Sequence, residues 1–196
     1  DVYKRQVYEG DGIAERRARA SEILTAAGGV SSGAGGAEGW LDVRFDGPYL
    51  RDSLLDAGVF CETLETATTW SNLHHLRAEI TAALRGGFAA AGAKSYVMCH
   101  VSHVYPTGAS LYFTVLANLR SDPPEAWAEI KRRVNDSIIA AGGTISHHHA
   151  VGRDHAPWLE KEIGETGVRI LAAIKRELDP TWILNPGAVI MSDRSA

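Results

Sequence analysis

Only two cysteines, Cys61 and Cys99, occur in 196 residues. Two thiols cannot build the disulfide framework of a small secreted scaffold, so a reducing compartment is the default expectation and both thiols read as small buried hydrophobes. No apolar run approaches the ~20 residues that a membrane-spanning helix needs, and no signal-peptide pattern is read at the start. Basic residues are not in excess: 20 Lys and Arg stand against 24 Asp and Glu, a net charge of -4. That balance argues against a general nucleic-acid binder, which needs a basic footprint. Also missing are the G-x-S-x-G elbow, the Walker loop, the Rossmann glycine fingerprint, H-E-x-x-H and paired-cysteine spacing. These absences remove the common serine-hydrolase, P-loop, dinucleotide-binding and zinc-site readings.

What is present is an ordinary globular composition, 45% apolar, of a length that suggests one domain. Asp1-Val2-Tyr3-Lys4-Arg5-Gln6 resembles the translation of a sequencing-library adapter and is left out of the fold reading, so the natural sequence is expected to start near Val7, inside a larger protein. Val7 to Asp11 reads as the end of a strand. Composition predicts a helix from Ile13 to Ala27, ended by Gly28-Gly29. Ser31 to Gly39 reads as a Gly/Ser/Ala loop, Asp42 to Phe45 as a short extended piece, and Pro48 to Leu55 as one or two helical turns. Val59 to Thr66 is β-branched and apolar and predicts a strand. Ser71 is expected to cap a helix that carries Leu73, Leu76, Ile80, Leu84 and Phe88 at helical spacing.

Two further strands, Ser95 to Val104 and Ala109 to Ala117, join through Tyr105-Pro106-Thr107-Gly108 as a hairpin. Alternation puts Leu111, Phe113 and Val115 on one face and Tyr112 and Thr114 on the other. A helix opens at Pro123-Pro124 with a stripe of Trp127, Ile130, Val134, Ile138 and Ala141. A last helix starts near Pro157, carries Leu159, Ile163, Val168, Leu171, Ile174 and Leu178, and stops at Asp179-Pro180. Hairpin strands alternating with amphipathic helices predict an α+β domain, an antiparallel sheet covered on one face by helices. The other face is free for a ligand or another domain.

The densest chemistry lies in Gly142-Gly143-Thr144-Ile145-Ser146-His147-His148-His149-Ala150-Val151-Gly152-Arg153. Imidazoles titrate near neutral pH, so a triplet suggests proton transfer or metal binding; the plain alternative is a polar loop. In extended backbone His147 and His149 would face one side and His148 the other, and His100 and His103 would likewise face opposite sides. That spacing predicts no metal site. Glu9, Glu62 and Glu65 read as structural carboxylates. Arg51, in Tyr49-Leu50-Arg51-Asp52, is the candidate anion ligand.

Four stretches carry a family resemblance: Tyr8-Glu9-Gly10-Asp11; Tyr49-Leu50-Arg51-Asp52 with Glu62-Thr63-Leu64-Glu65-Thr66-Ala67-Thr68-Thr69-Trp70; Gly108-Ala109-Ser110-Leu111-Tyr112-Phe113; and Ser146-His147-His148-His149-Ala150-Val151-Gly152. From Val7 to Val189 the chain resembles the C-terminal part of the FAD-linked oxidases of the vanillyl-alcohol oxidase type, nearest the alkyl-dihydroxyacetonephosphate synthase (alkylglycerone-phosphate synthase) branch. The resemblance implies a cap or substrate domain over residues 7–196, of ferredoxin-like arrangement, preceded by an FAD-binding domain that this chain lacks. It implies FAD as cofactor. The reaction implied is exchange of the acyl group of an acyl-dihydroxyacetone phosphate for a fatty alcohol in ether lipid synthesis, through a covalent flavin-substrate adduct and without net redox change. Matched by motif, Tyr112 abstracts a substrate proton, His147, His148 and His149 form the essential cluster, Arg51 holds the phosphate and Asn185 contacts the cofactor.

Leu184-Asn185-Pro186-Gly187 is the ending of bacterial FAD-linked oxidases rather than of eukaryotic synthases. An oxidase or D-2-hydroxyacid dehydrogenase of other substrate is therefore the alternative, and a non-catalytic α+β binding domain the second. The dehydrogenases carry a His-x-Gly-Asp-Gly-Asn-x-His type metal motif where this chain reads His103-Val104-Tyr105-Pro106-Thr107-Gly108, which disfavours them. The partners implied are a small lipid or hydroxy-acid substrate and the upstream FAD-binding domain, with a homodimer and a membrane surface left open. The expected setting is cytoplasmic.

Overall fold

The computed structural model describes residues 8, 10–31, 33, 35–119 and 123–191. The adapter-like start, Glu9 and most of the expected first strand lie outside the described residues. The chain divides into two compact units, residues 1–53 and 54–196.

In the first unit α1 spans Ile13–Ala26 and α2 spans Gly35–Val43; α3, Gly47–Asp56, runs past the unit boundary. The α1 stop is as expected. Gly28 takes φ +87°, a left-handed conformation that glycine adopts without penalty, and Gly29 N–H returns to Leu24 O at 2.8 Å. The expected Ser31–Gly39 loop and the extended piece at Asp42–Phe45 are corrected by α2. The segment from Ala37 to Val43 has helix-compatible Ala, Glu, Trp and Leu, and these carry a helix through the glycines.

In the second unit β1 (Phe60–Thr69), α4 (Leu73–Ala90), β2 (Ser95–Val104), β3 (Gly108–Ala117) and α5 (Pro123–Ala140) follow one another, then α6 (Ala156–Leu178). The sheet is antiparallel in the order β1-β3-β2. This is the α+β arrangement expected, a βαββα unit of the ferredoxin-like kind. Every apolar residue expected on α4 is buried: Leu73, Leu76, Ile80, Leu84 and Phe88. They meet Leu111, Phe113 and Val115 of β3, each 0% exposed, and Ile130, Val134 and Ile138 of α5. Phe60 wedges between Phe88 and Trp127 at ring separations of 5.6 and 5.3 Å.

Two details differ from expectation. The turn Trp70–Asn72 is 3-10, and neither its start nor that of α4 has a side-chain cap; Asn72 instead spends its amide on Ala141 O at 2.7 Å and Thr68 Oγ1 at 3.1 Å. On α6 only Ala156, Trp158 and Leu159 are buried, whereas Ile163, Ile174 and Leu178 are exposed. Gly164, at φ +75° and ψ 164°, breaks α6 and turns its later part away from the line of the first. Asp179 ends α6 as expected, its carboxylate accepting the N–H groups of Ile183 and Leu184 at 3.1 and 3.0 Å. Among the described residues no helix is long and apolar enough to cross a membrane.

The segment after α5 positions the chemistry. It runs along the free edge of β1, where the last strand of a βαββαβ unit would add. Thr144 N–H donates to Ala67 O at 3.0 Å and His147 N–H to Glu65 O at 3.2 Å. Thr66 Oγ1 donates to Thr144 O at 2.6 Å, and Thr68 Oγ1 to Gly142 O at 3.0 Å. Gly143 makes this approach feasible, because a Cβ there would lie 2.8 Å from Thr66 Oγ1 and 2.9 Å from the Leu76 methyls.

Candidate functional site

The side of the sheet away from α4 and α5 carries Glu65, Tyr112 and His100 in one cross-strand row, since Glu65 pairs with Tyr112 and Tyr112 with His100. Tyr112 therefore stands on the open face, opposite Leu111 and Phe113, as alternation requires.

The histidine triplet closes over this row. An extended backbone would have split it, but His148 takes φ +59° and Ala150 φ +60°, and His149 N–H turns back to His147 O at 2.8 Å. The tight turn corrects the expected alternation. His147 and His148 stack at 4.1 Å, and His149 meets the Tyr112 ring edge-on at 5.5 Å. The expectation for His100 and His103 is corrected in the same way. A register irregularity between Val101 and Val104 inserts an odd step, and it brings His103 to the side on which His100 already lies. His103 N–H then donates to Ser110 Oγ at 2.9 Å, and its ring meets His148 at 4.4 Å.

Glu65, read from the sequence as a structural carboxylate, is the centre of this cluster and is paired with imidazoles. It is 5% exposed. Ser110 Oγ donates to its Oε1 at 2.8 Å; His103 Nδ1 and His147 Nδ1 each lie 3.3 Å from Oε1, and His149 Nε2 lies 3.7 Å from Oε2. Burial pushes the Glu65 carboxyl up, but the Ser110 hydroxyl, His147 and His103 outweigh it and hold it below its ordinary value. A buried carboxylate is thereby kept ionised among imidazoles. Glu62, one pleat away on the other face, is exposed.

The loop is clamped at both ends. Glu162 of α6 accepts Ile145 N–H at 2.6 Å and the Thr144 hydroxyl. Beyond the triplet, His155 Nδ1 donates to Ala150 O and Val151 O, both at 3.1 Å. Burial, with Lys131 nearby, lowers the His155 pKa, so it serves as a neutral anchor of fixed tautomer. The C-terminal segment is tied to the same loop: Val189 N–H donates to Gly152 O at 2.7 Å, and Arg153 grips Pro186 O at 3.0 and 3.2 Å. Asn185, at φ +46°, consequently lines a shallow hollow with His149, Arg153 and His155.

The structure thus brings Tyr112, His147, His148 and His149 together, with Asn185 bordering His149. Arg51 belongs to the first unit, on α3, where its guanidinium meets Asp52 Oδ1 at 2.9 and 3.1 Å. Cys61 is buried and Cys99 half-buried, its thiol pushed up to about 11 by burial; neither takes part.

Sequence reasoning missed Glu65, Ser110, His103 and Tyr105. The last donates or accepts at His147 Nε2 over 3.0 Å. Ligand atoms of Glu65, His103, His147 and His148 all lie within 4.8 Å of one another, a convergence that sequence spacing did not announce. Of these atoms, Glu65 Oε1 accepts from Ser110 Oγ, His147 Nε2 meets the Tyr105 hydroxyl, and His147 Nδ1 makes no hydrogen bond among the described residues. The arrangement is equipped to hold a carboxylate charge, orient imidazoles and move a proton at the open face.

Comparison with known proteins places the chain in a family. The family model of FAD linked oxidases, C-terminal domain, matches residues 7–189. Alkyldihydroxyacetonephosphate synthase of Caenorhabditis elegans is 33% identical over 183 residues, covering 90% of this chain and 31% of the relative. The enzyme of that name from Dictyostelium discoideum is 30% identical over 170 residues, covering 86% and 28%. A solved alkyldihydroxyacetonephosphate synthase superposes with TM-score 0.60 at 25% identity, over 89% of this chain and 29% of that one. The chain therefore spans under a third of the length of these relatives.

Proposed function

Because the chain belongs to the FAD-linked oxidase C-terminal domain family, we propose that it is the substrate-side unit of an FAD-dependent enzyme of the alkyldihydroxyacetonephosphate synthase kind. The observation that carries this reading is the convergence of Tyr112 and the histidine triplet on the uncovered face of the sheet. Helices seal the other face, so a substrate can meet these groups only from the open side.

The donor set fits a flavin. Asn185, His149 and the backbone of Gly152 line one hollow, with His149 also against the Tyr112 ring, and a side-chain amide with an imidazole can satisfy the polar edge of such a ring. A flavin held by these residues would supply redox-active ring chemistry. The chain's own residues do the rest. Tyr112 exchanges a proton with the substrate. An ordinary phenol is a weak base at neutral pH, with a pKa of about 10, so it needs a neighbour that takes or stabilises its proton. His149, edge-on to its ring at 5.5 Å without a hydrogen bond to the hydroxyl, is the imidazole placed to become that neighbour when substrate binds, and Glu65 holds the imidazole layer electrostatically. Arg51, in the first unit, is the candidate for a phosphate by motif match, since a guanidinium presents a fork to that group.

The test uses the intact flavin-loaded protein that carries this chain, given an acyl-dihydroxyacetone phosphate and a labelled fatty alcohol. Incorporation of the alcohol with release of the fatty acid is the expected result. Reduction of an electron acceptor by 2-hydroxy acids, with no alcohol incorporated, would replace this reading by that of an oxidase.

A further inference from the structure

The phenol hydrogen-bonded to an imidazole of the triplet is, among the described residues, Tyr105 and not Tyr112. Its hydroxyl lies 3.0 Å from His147 Nε2. The other nitrogen of that ring, Nδ1, lies 3.3 Å from Glu65 Oε1. It is buried and makes no hydrogen bond among the described residues, so the Glu65 carboxylate faces it at ion-pair distance. One imidazole is therefore held between a carboxylate and a phenol. Exposure rises along the row, from 3% for the Glu65 side chain to 14% for His147 and 40% for Tyr105. That gradient is the layout of a relay: a buried charge that orients, an imidazole that accepts, and an outer hydroxyl that a substrate can reach.

The placement of Tyr105 is built. Tyr105 N–H donates to Gly108 O at 2.8 Å and closes the hairpin turn. Trp70 Nε1 donates to Tyr105 O at 3.0 Å. The ring lies nearly parallel to His103, 11° apart with centroids 6.4 Å apart. Main chain and ring are both fixed, so the hydroxyl is aimed and not merely near.

We propose that Glu65, His147 and Tyr105 form a proton relay, with Tyr105 as its outer member and a second phenol beside Tyr112. This rests on the flavoenzyme reading of the site. In the step, the Tyr105 O–H bond breaks and its proton forms an N–H bond at His147 Nε2, while the Tyr105 oxygen takes a proton from the substrate. The electron pair of the broken substrate bond stays on the substrate. His147 keeps its Nδ1 proton towards Glu65, whose carboxylate offsets the imidazolium charge. The Nδ1 contact is at ion-pair distance without hydrogen-bond geometry, and catalytic contacts of this kind commonly tighten only when substrate binds. Two phenols then share the work: Tyr112 against His149 and Tyr105 through His147 flank the triplet on either side.

Tyr105→Phe tests the relay, since it keeps the ring on His103 and deletes only the hydroxyl. Long-range nitrogen–proton NMR on this chain is expected to show His147 protonated on Nδ1, with Nε2 an acceptor, and Tyr105→Phe is expected to move the Nε2 signal of His147. A proton on Nε2 in the parent, or an Nε2 signal that ignores the substitution, overturns the relay. In the intact flavin-loaded protein Tyr105→Phe is expected to lower kcat by about 100-fold or more, with KM changed less than about threefold. An unchanged kcat overturns it, as does a rise in KM alone, which would mark Tyr105 as a lid. One equivalent of zinc that shifts Glu65, His103, His147 and His148 signals together also overturns it, because the cluster would then be a metal centre. Failure of the parent protein to turn over any synthase substrate sinks the flavoenzyme reading; the His147 tautomer still decides the relay.

Discussion

The two faces of β3 divide the labour of the second unit. On one, Leu111, Phe113 and Val115 are each 0% exposed beneath α4 and α5. On the other, Ser110 meets the buried Glu65 carboxylate and His103, and Tyr112 meets His149. Residues one position apart therefore answer to different physics. The covered face holds the fold by close packing and tolerates little change of volume. The open face is held by directed contacts to charged and polar groups, and it gives up stability for reactivity.

Substitutions on either side should show this contrast. The largest expected effect is on the open face. Tyr112→Phe in the intact enzyme should lower turnover by ~10²–10⁴-fold while FAD stays bound and the melting temperature barely moves; steady-state kinetics with flavin absorbance measures both, and retained turnover sinks the assignment. Next comes its neighbour: Phe113→Ala should cost ~3–5 kcal/mol in denaturant unfolding, from lost burial and the cavity left behind. A loss under 1 kcal/mol would mean that the helices repack and the covered face is not a fixed core.

Gly143→Ala strikes the covered side beneath the histidine loop. The new methyl meets Thr66 Oγ1 and the Leu76 methyls, so an overpacking cost of ~1–3 kcal/mol is expected, and the triplet should shift off β1. Altered histidine signals in NMR would report that shift; unchanged ones would contradict the close approach. A smaller effect concerns pH. Glu65 has a folded-state pKa below its ordinary value of 4.5, so its contribution is complete above that value and disappears as pH falls through the folded-state pKa. Glu65→Gln should therefore flatten the acid limb of a stability-versus-pH curve, and an acid limb of unaltered slope would show that Glu65 does not set it. The smallest is Arg51→Lys, which keeps the charge and loses the fork. A several-fold weaker affinity for a phosphorylated substrate is expected by calorimetry, and equal affinity removes Arg51 as a phosphate ligand.

Much of this was legible in order along the chain, because local periodicity reports burial. The α4 stripe and the alternation in β3 were read correctly since each depends on residues three, four or two apart. Glu65 was not legible. Its role depends on pairing with Tyr112 across the sheet and on a loop eighty residues later, neither of which leaves a local trace. The convergence of the triplet needed left-handed backbone at His148 and Ala150, where no glycine announces it. Tyr105 was read only as turn chemistry, and His103 was misplaced because a strand irregularity reverses facing without changing composition. What the resemblance supplied was the list of Tyr112 and the triplet; what the fold added was the carboxylate between them.

The segment from Gly143 to His147 has one more consequence. A strand edge with bare N–H and C=O groups is an adhesive surface, ready to recruit another chain. Here the histidine loop occupies that edge of β1, leaving the carbonyls of Glu65 and Ala67 already taken. The same loop is thus a guard against self-association. Damage to it should show first as a protein that precipitates, and only afterwards as one that fails to react, so solubility becomes an early sign of whether the site is assembled.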